Sequence, residues 1–261
     1  MIYFRILLLW LGFAVSVIAV RPSPAQNKKE PKGPPPRVIL AMPMAVEIGK
    51  TNKLTIRGQY LDAVTGIQVQ EPKSSGKVVG KGKKVAVPNQ MNAEQVGDSE
   101  IEIEITLPKE VPGSVVPFVV IGPGGESKPH SLIVKNGVPV VLEKEPNDGF
   151  KQAQPITIPC VVEGSIRQSQ DVDVFRFEGK QGEQLTFDLQ ANRFGSPLDG
   201  MLTLFDSEGR VVATADDSDG SLDPVLQISL PQSGTYYLSL IDAHDQGGSL
   251  FLYRLAFRNS K

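Results

Sequence analysis

Residues 99–106, Ser-Glu-Ile-Glu-Ile-Glu-Ile-Thr, alternate apolar and acidic positions without a break. A period of two is the signature of a strand with one face packed and one face wet, so Ile101, Ile103 and Ile105 are expected to point into a core and Glu100, Glu102 and Glu104 to point out. Shorter apolar runs at 54–57, 64–69, 115–121 and 132–134 are set apart by Gly-, Pro- and Asn-bearing turns such as the Gly-Pro-Gly-Gly of 122–125. Roughly seven short strands in about a hundred residues predict a β-sandwich over residues 37–135.

The second half repeats the pattern with different spacing. Apolar runs at 161–166, 172–177, 185–189, 201–205, 211–213, 225–229, 235–241 and 250–257 predict a sandwich of jelly-roll type over 150–261. Residues 136–149 form the linker between the two. No long stretch carries helical period, so the fold class is all-β, with two β-sandwich domains in tandem.

The N-terminus breaks this pattern. A short basic-flanked start, an apolar run from Ile6 to Val20 and the small residues Ser23 and Ala25 follow the order of a secretory signal peptide, expected to span 1–25, with retention as an N-terminal anchor the alternative. Residues 26–36, rich in Lys and Pro, read as a solvated linker. The protein is therefore expected to be exported: secreted, periplasmic or at the cell surface.

Charge and cysteine content narrow the class further. The chain has 27 basic and 29 acidic side chains, and loss of Arg5 and Arg21 with the leader would leave a small acidic excess. Nothing in that balance favours nucleic acid. Cys160 is the only cysteine, so no intramolecular disulfide holds the fold, and its apolar neighbours mark it as a small core residue rather than a nucleophile. The segment 72–85 carries Lys73, Lys77, Lys81, Lys83 and Lys84 and reads as a solvated hairpin or loop, with contact to an anionic polymer as the sharper alternative.

The densest chemistry lies in the linker. Glu143, Glu145, Asn147 and Asp148 gather carboxylate and amide oxygens within a few residues, the donor type that calcium requires. If the segment is extended, residues two apart share a face, so Glu143, Glu145 and Asn147 converge, and two carboxylates held that close repel unless a cation lies between them. Asp171 and Asp173 form a second cluster, expected on one face at the head of a strand whose other face carries Val172 and Val174. A third stretch, with Asp216, Asp217, Asp219 and Asp223, lacks the pattern of a calcium loop and reads as a solvated connection.

Candidate catalysis is thin. His130 and His244 are the only imidazoles, neither sits in a hydrolase motif, and His244 falls in a turn, so the chain reads as a non-enzyme. Tyr236, Tyr237 and Tyr253 are candidate ligand contacts on a sheet face, one of each alternating pair being core.

Two resemblances add to this reading. Residues 48–69, with their Gly-x-x-Leu turn at Gly58 to Leu61, and the later Gly-Gly-x-Ser turn resemble immunoglobulin-like TIG/IPT domains, which implies that the first sandwich is immunoglobulin-like. The run Glu-Lys-Glu-Pro-Asn-Asp at 143–148, the Asp-Val-Asp-Val-Phe at 171–175 and the strand-and-turn series to Phe257 resemble the bacterial pre-peptidase C-terminal domain. That resemblance implies Glu143, Glu145, Asn147, Asp148 and Asp173 as calcium ligands, with Asp171 as a further member. The chain departs from the family pattern at Gly149, where Thr is frequent, and at Gln170. The expectation is a non-catalytic exported binding or adhesion protein with calcium at the interdomain joint, its partner an extracellular protein or polysaccharide. Membrane attachment follows only from a retained leader. The alternatives are a collagen- or polysaccharide-binding module and an accessory partner of a secreted peptidase.

Overall fold

The computed structural model describes residues 33–218 and 220–260. The leader, most of the Lys/Pro-rich linker and Asp219 lie outside the described residues.

The first sandwich is built from β1 (Arg37–Met42), β2 (Ala45–Val46), β3 (Thr51–Gln59), β4 (Gly66–Val69), β5 (Ser75–Val78), β6 (Lys83–Lys84), β7 (Ser99–Thr106), β8 (Val115–Gly122), β9 (Gly125–Glu126) and β10 (His130–Val134). One sheet runs β1-β3-β7-β5 with β6 also on β7; the other runs β2-β10-β8-β4 with β9 on β8. The alternation in β7 has the consequence foreseen: Ile101, Ile103 and Ile105 are buried against Val116, Phe118 and Leu132 of the facing sheet.

The segment 72–85 is neither the solvated loop nor the self-paired hairpin that its composition predicts. It supplies β5 and β6, which pair antiparallel with β7. The lysines lie across from the outward glutamates, Lys77 Nζ at 2.8 Å from Glu104 and Lys83 Nζ at 3.8 Å from Glu100. Charge on the wet face, rather than apolar burial, marks this edge, so a search for hydrophobic period passes over it.

The second sandwich comprises β11 (Val140–Leu142), β12 (Gln154–Pro155), β13 (Cys160–Ser165), β14 (Asp173–Gly179), β15 (Gln184–Gln190), β16 (Gly200–Phe205), β17 (Val211–Ala215), β18 (Val225–Ser229), β19 (Gly234–Asp242) and β20 (Leu252–Asn259). Its two five-stranded sheets are ordered β11-β13-β20-β15-β18 and β12-β14-β19-β16-β17. Between them Phe177, Phe187 and Phe257 make an aromatic nucleus with ring centroids 5.4–6.4 Å apart. Cys160 is buried in the same core, where burial pushes its thiol up to about 11, as a structural residue requires.

The two sandwiches meet through apolar side chains. Ile39, Leu40, Met44 and Ile133 of the first are buried with Leu250 of the second, and Phe194 and Leu252 pack against them. A short helix, α1 (Ala93–Val96), capped reciprocally by Asn92 and Gln95, buries Val96 in that cluster.

His130 on β10 sets an acid limit on the first sandwich. Its half-buried ring meets Phe118 edge-on at 5.7 Å, and burial lowers its pKa from 6.5 to about 4. Between those values the unfolded chain binds a proton that the native chain refuses, so stability is lost as pH falls from about 6.5 to about 4. Wild type is expected to lose roughly 2–3 kcal/mol more than His130→Leu over that range, measured by denaturant melts at pH 7 and pH 4.5. Equal losses would show that the imidazole is not held neutral.

Candidate metal centre

Strand β11 ends at Leu142, and residues 143–149 run on as an irregular strap. Its start is held by the Glu143 amide donating to the Glu163 carbonyl on β13 at 2.9 Å, its end by the Val174 amide of β14 donating to the Asn147 carbonyl at 3.0 Å. Those strands belong to opposite sheets, so the strap crosses from one sheet to the other. Gln154 on β12 clamps it between these points: its side-chain oxygen accepts from the Lys144 amide at 2.8 Å and its nitrogen donates to the Leu142 carbonyl at 3.0 Å. Convergence of the strap's side chains comes from this crossing, not from the pleat of an extended strand.

Glu143, Glu145 and Asp173 each bring one carboxylate oxygen within 4.8 Å of the others, and Glu145, Asp148 and Asp171 do the same. Glu145 belongs to both groups, and its Oε2 accepts from the Asn147 amide at 3.2 Å. Asp148 is exposed, Glu145 half-buried, and Glu143, Asp171 and Asp173 are buried. Among the described residues, Asp173 Oδ1, Glu143 Oε1 and both polar atoms of the fully buried Asn147 side chain have no hydrogen-bond partner of good geometry, although the Asn147 side-chain amide lies near enough to Asp173 to oppose the upward shift of its carboxyl. An unsatisfied buried polar group costs about 1–3 kcal/mol, so oxygens buried here without a well-formed partner weigh against the metal-free arrangement.

The aspartates sit differently from their expected placement. Asp173, not Asp171, opens β14, and it shares the inward parity of Phe175 and Phe177 rather than an outward face. Asp171 lies in the preceding turn, where Oδ2 accepts from the Arg167 amide at 2.5 Å. The Tyr253 hydroxyl donates to Asp173 Oδ2 at 2.5 Å, and burial drives the phenol well above its ordinary pKa, which keeps it a donor. Burial also pushes the Asp173 carboxyl up to about 7, and it raises Glu143, where the Arg167 guanidinium opposes the shift.

Arg167, Gln154, Tyr253 and Gly164 serve this site without having been singled out in the sequence for it. Gly164 pairs with Tyr253 across β13 and β20, and a Cβ there would stand 2.5 Å from the phenol oxygen and 2.6 Å from Glu143 Cβ. A glycine inside a strand is the one signal that could have marked the close approach.

The tyrosine face requires correction. Tyr236 and Tyr253 are both buried core residues, and Tyr236 donates to the Gln232 carbonyl at 2.8 Å. Only Tyr237 faces outward, with Phe150 stacked on it at 4.6 Å and Phe205 edge-on to Phe150 at 5.2 Å. The clustered ligands all belong to residues 143–173, none to the first sandwich, while the sandwiches touch through the apolar cluster described above and through Lys135, whose Nζ lies 3.6 Å from Glu163.

The remaining acidic residues divide. Asp223 is fully buried and accepts from the amides of Ala191, Asn192 and Arg193, a structural cap rather than a ligand loop. Asp216 and Asp217 are exposed beside Asp199, which pairs with the exposed His244 at 3.2 Å.

A twin β-sandwich module with a buried, oxygen-rich cluster at one end is the class that this geometry defines. Residues 171–241 match the family model described as the bacterial pre-peptidase C-terminal domain, and the second sandwich is a domain of that kind. Of the clustered residues only Asp171 and Asp173 fall inside the matched span. A curated relative, the "Probable subtilase-type serine protease" of Deinococcus radiodurans, is 37% identical over 114 residues, 42% of this chain. The chain spans only 16% of that relative's length. Among solved structures, the pre-peptidase C-terminal domain of collagenase from Bacillus anthracis is similar at 15% identity and TM-score 0.34, covering 41% of this chain and 94% of that one. The Aeromonas hydrophila periplasmic inhibitor of g-type lysozyme is similar at 17% identity and TM-score 0.32, covering 47% and 97%.

Proposed function

We propose that the chain is an exported, non-catalytic binding module whose second sandwich is stabilised by calcium, acting outside the cytoplasm in adhesion or alongside a secreted peptidase. The single observation that carries the metal reading is the set of buried oxygens Glu143 Oε1, Asn147 Oδ1 and Asp173 Oδ1, which among the described residues have no well-formed hydrogen-bond partner and lie where carboxylates also crowd. Hard oxygen donors in irregular array are what calcium takes, and they match it better than they match a softer metal.

Glu143, Glu145, Asn147 and Asp173 would hold the ion, with Asp148 and Asp171 completing the shell from the rim. Calcium would supply positive charge where burial now opposes ionisation. The chain does the rest: Tyr253 orients Asp173, Gln154 holds the strap, and the Arg167 amide fixes Asp171. A bound ion would tie the strap to both sheets and close that end of the sandwich.

The non-catalytic reading is supported by the two imidazoles, one held neutral in the first sandwich and one exposed in a turn, and by a core thiol pushed up to about 11. The partner, an extracellular protein or polysaccharide, is assigned to the half-exposed Tyr237, Phe150 and Phe205 group, since stacked rings on a flat sheet suit sugar or aliphatic surface. Retention on insoluble polysaccharide or collagen, lost in Tyr237→Ala, checks this face.

The metal reading is tested by calorimetric titration of the purified chain with calcium chloride. Binding of about one or two equivalents is expected, because two ligand groups share Glu145. At a hundredfold excess over Kd the melting temperature should rise by roughly 5–10 °C relative to chelator. No heat and no shift would remove the metal from the account.

A further inference from the structure

The side chain of Arg167 lies over the mouth of the cluster. Its Nη2 is 3.5 Å from Glu143 Oε2 and its Nε 3.7 Å from Glu145 Oε1, while its own backbone amide anchors Asp171. Charge-assisted bonds between guanidinium and carboxylate close to about 2.7–2.9 Å, often as a bidentate fork. Neither contact here does so, and the side chain is 52% exposed, so the guanidinium attends the carboxylates without being locked to them. It meets one oxygen of Glu143 and leaves Glu143 Oε1 and Asp173 Oδ1 without a well-formed partner among the described residues. The arginine neutralises the rim of the site and not its floor.

We infer that Arg167 is a tethered cation that competes with calcium for Glu143 and Glu145 and thereby sets the metal concentration at which the strap locks. This rests on the metal reading above. A divalent ion among the floor oxygens stands within a few ångströms of the guanidinium, and like charges at that separation repel. The ion must therefore displace the arginine, and the exposed aliphatic stem allows it to swing into solvent. In the metal-free chain the same arginine relieves carboxylate repulsion, so its two effects have opposite sign: it stabilises the empty site and weakens the filled one. A strap so built stays folded when calcium is scarce and responds only above a threshold that the arginine raises.

The test is calcium titration by calorimetry on the full chain as wild type, Arg167→Gln and Arg167→Lys, with melts of each in chelator. The backbone amide that holds Asp171 is retained in all three. Arg167→Gln is expected to bind calcium about tenfold more tightly and to melt lower in chelator, with Arg167→Lys close to wild type in both. Binding by Arg167→Gln where wild type is silent would support the same competition in its strongest form. Equal affinities in wild type and Arg167→Gln would overturn the inference and leave the metal reading standing. Absence of binding in all three chains would overturn both. A glutamine variant that melts lower in chelator but gains no affinity would show a purely structural ion pair, and it too would overturn the competition.

Discussion

In chelator at pH 8, Asp173→Asn is expected to melt at a higher temperature than wild type, and in millimolar calcium the order should reverse. The carboxyl is fully buried, and burial pushes its pKa from 3.8 to about 7. A carboxyl with a raised folded-state pKa favours the native state while protonated; that contribution is complete below about 4 and is lost as pH climbs through about 7. Above that window the metal-free fold carries an ionised group that it solvates poorly, at a cost of up to roughly 3–4 kcal/mol. Asparagine removes the charge, keeps the volume and still accepts from the Tyr253 hydroxyl, so the empty site improves. Calcium binding, which needs the charge, should vanish in the same variant. A simple structural aspartate predicts a lower melting temperature in both buffers, and that result would exclude a poised metal ligand. Wild type in chelator should lose stability between pH 4 and pH 7 relative to Asp173→Asn, and calcium should cancel the loss.

The crossing of the two melting orders separates what could be read in the chain from what only folding reveals. The carboxylates are visible as composition: Glu143, Glu145 and Asp148 are neighbours in sequence, and hard oxygens in such density announce themselves. Asp173 is visible as a residue, but its inward parity is not. That parity follows from β14 beginning at Asp173, so that it falls in step with Phe175 and Phe177. Tyr253 stands eighty positions from the aspartate it serves and reads locally as one more outward or inward aromatic. Arg167 sits close in sequence to Asp171, yet its reach to Glu143 and Glu145 exists only because the strap passes from one sheet to the other.

The same division holds for the fold. β7 was legible because a buried face and a wet face alternate with the pleat, and the isoleucines have no other way to leave water. β5 and β6 were not, because their stabilisation lies in backbone pairing and in lysines set across from Glu104 and Glu100, terms that a hydrophobic pattern does not register. The contact between sandwiches was equally hidden. Ile39, Leu40 and Met44 look like ordinary strand residues of the first domain, and Leu250 like an ordinary residue of the second. Their meeting gives the domains an apolar contact that does not involve the linker ligands.

Gly195 gives that interface its sharpest test. It follows the 3-10 turn Asn192–Phe194 with a φ of 93°, and a Cβ at this position would fall 1.6 Å from the Ile39 carbonyl oxygen. Backbone meets backbone there, so no side-chain rotation can make room, and a left-handed conformation is itself unfavourable for any residue with a Cβ. Gly195→Ala is expected to cost at least about 2–3 kcal/mol and to part the domains locally, because moving β1 away from the turn also withdraws Ile39 and Leu40 from Leu250. Wild type should unfold in one thermal transition, since the apolar cluster couples the sandwiches, whereas the variant should show two, with faster proteolysis in 136–142. Calcium should raise only the later-defined transition of the second sandwich, since its ligands lie wholly there. A single transition in Gly195→Ala that calcium shifts as a whole would mean that the strap, not the apolar cluster, couples the domains.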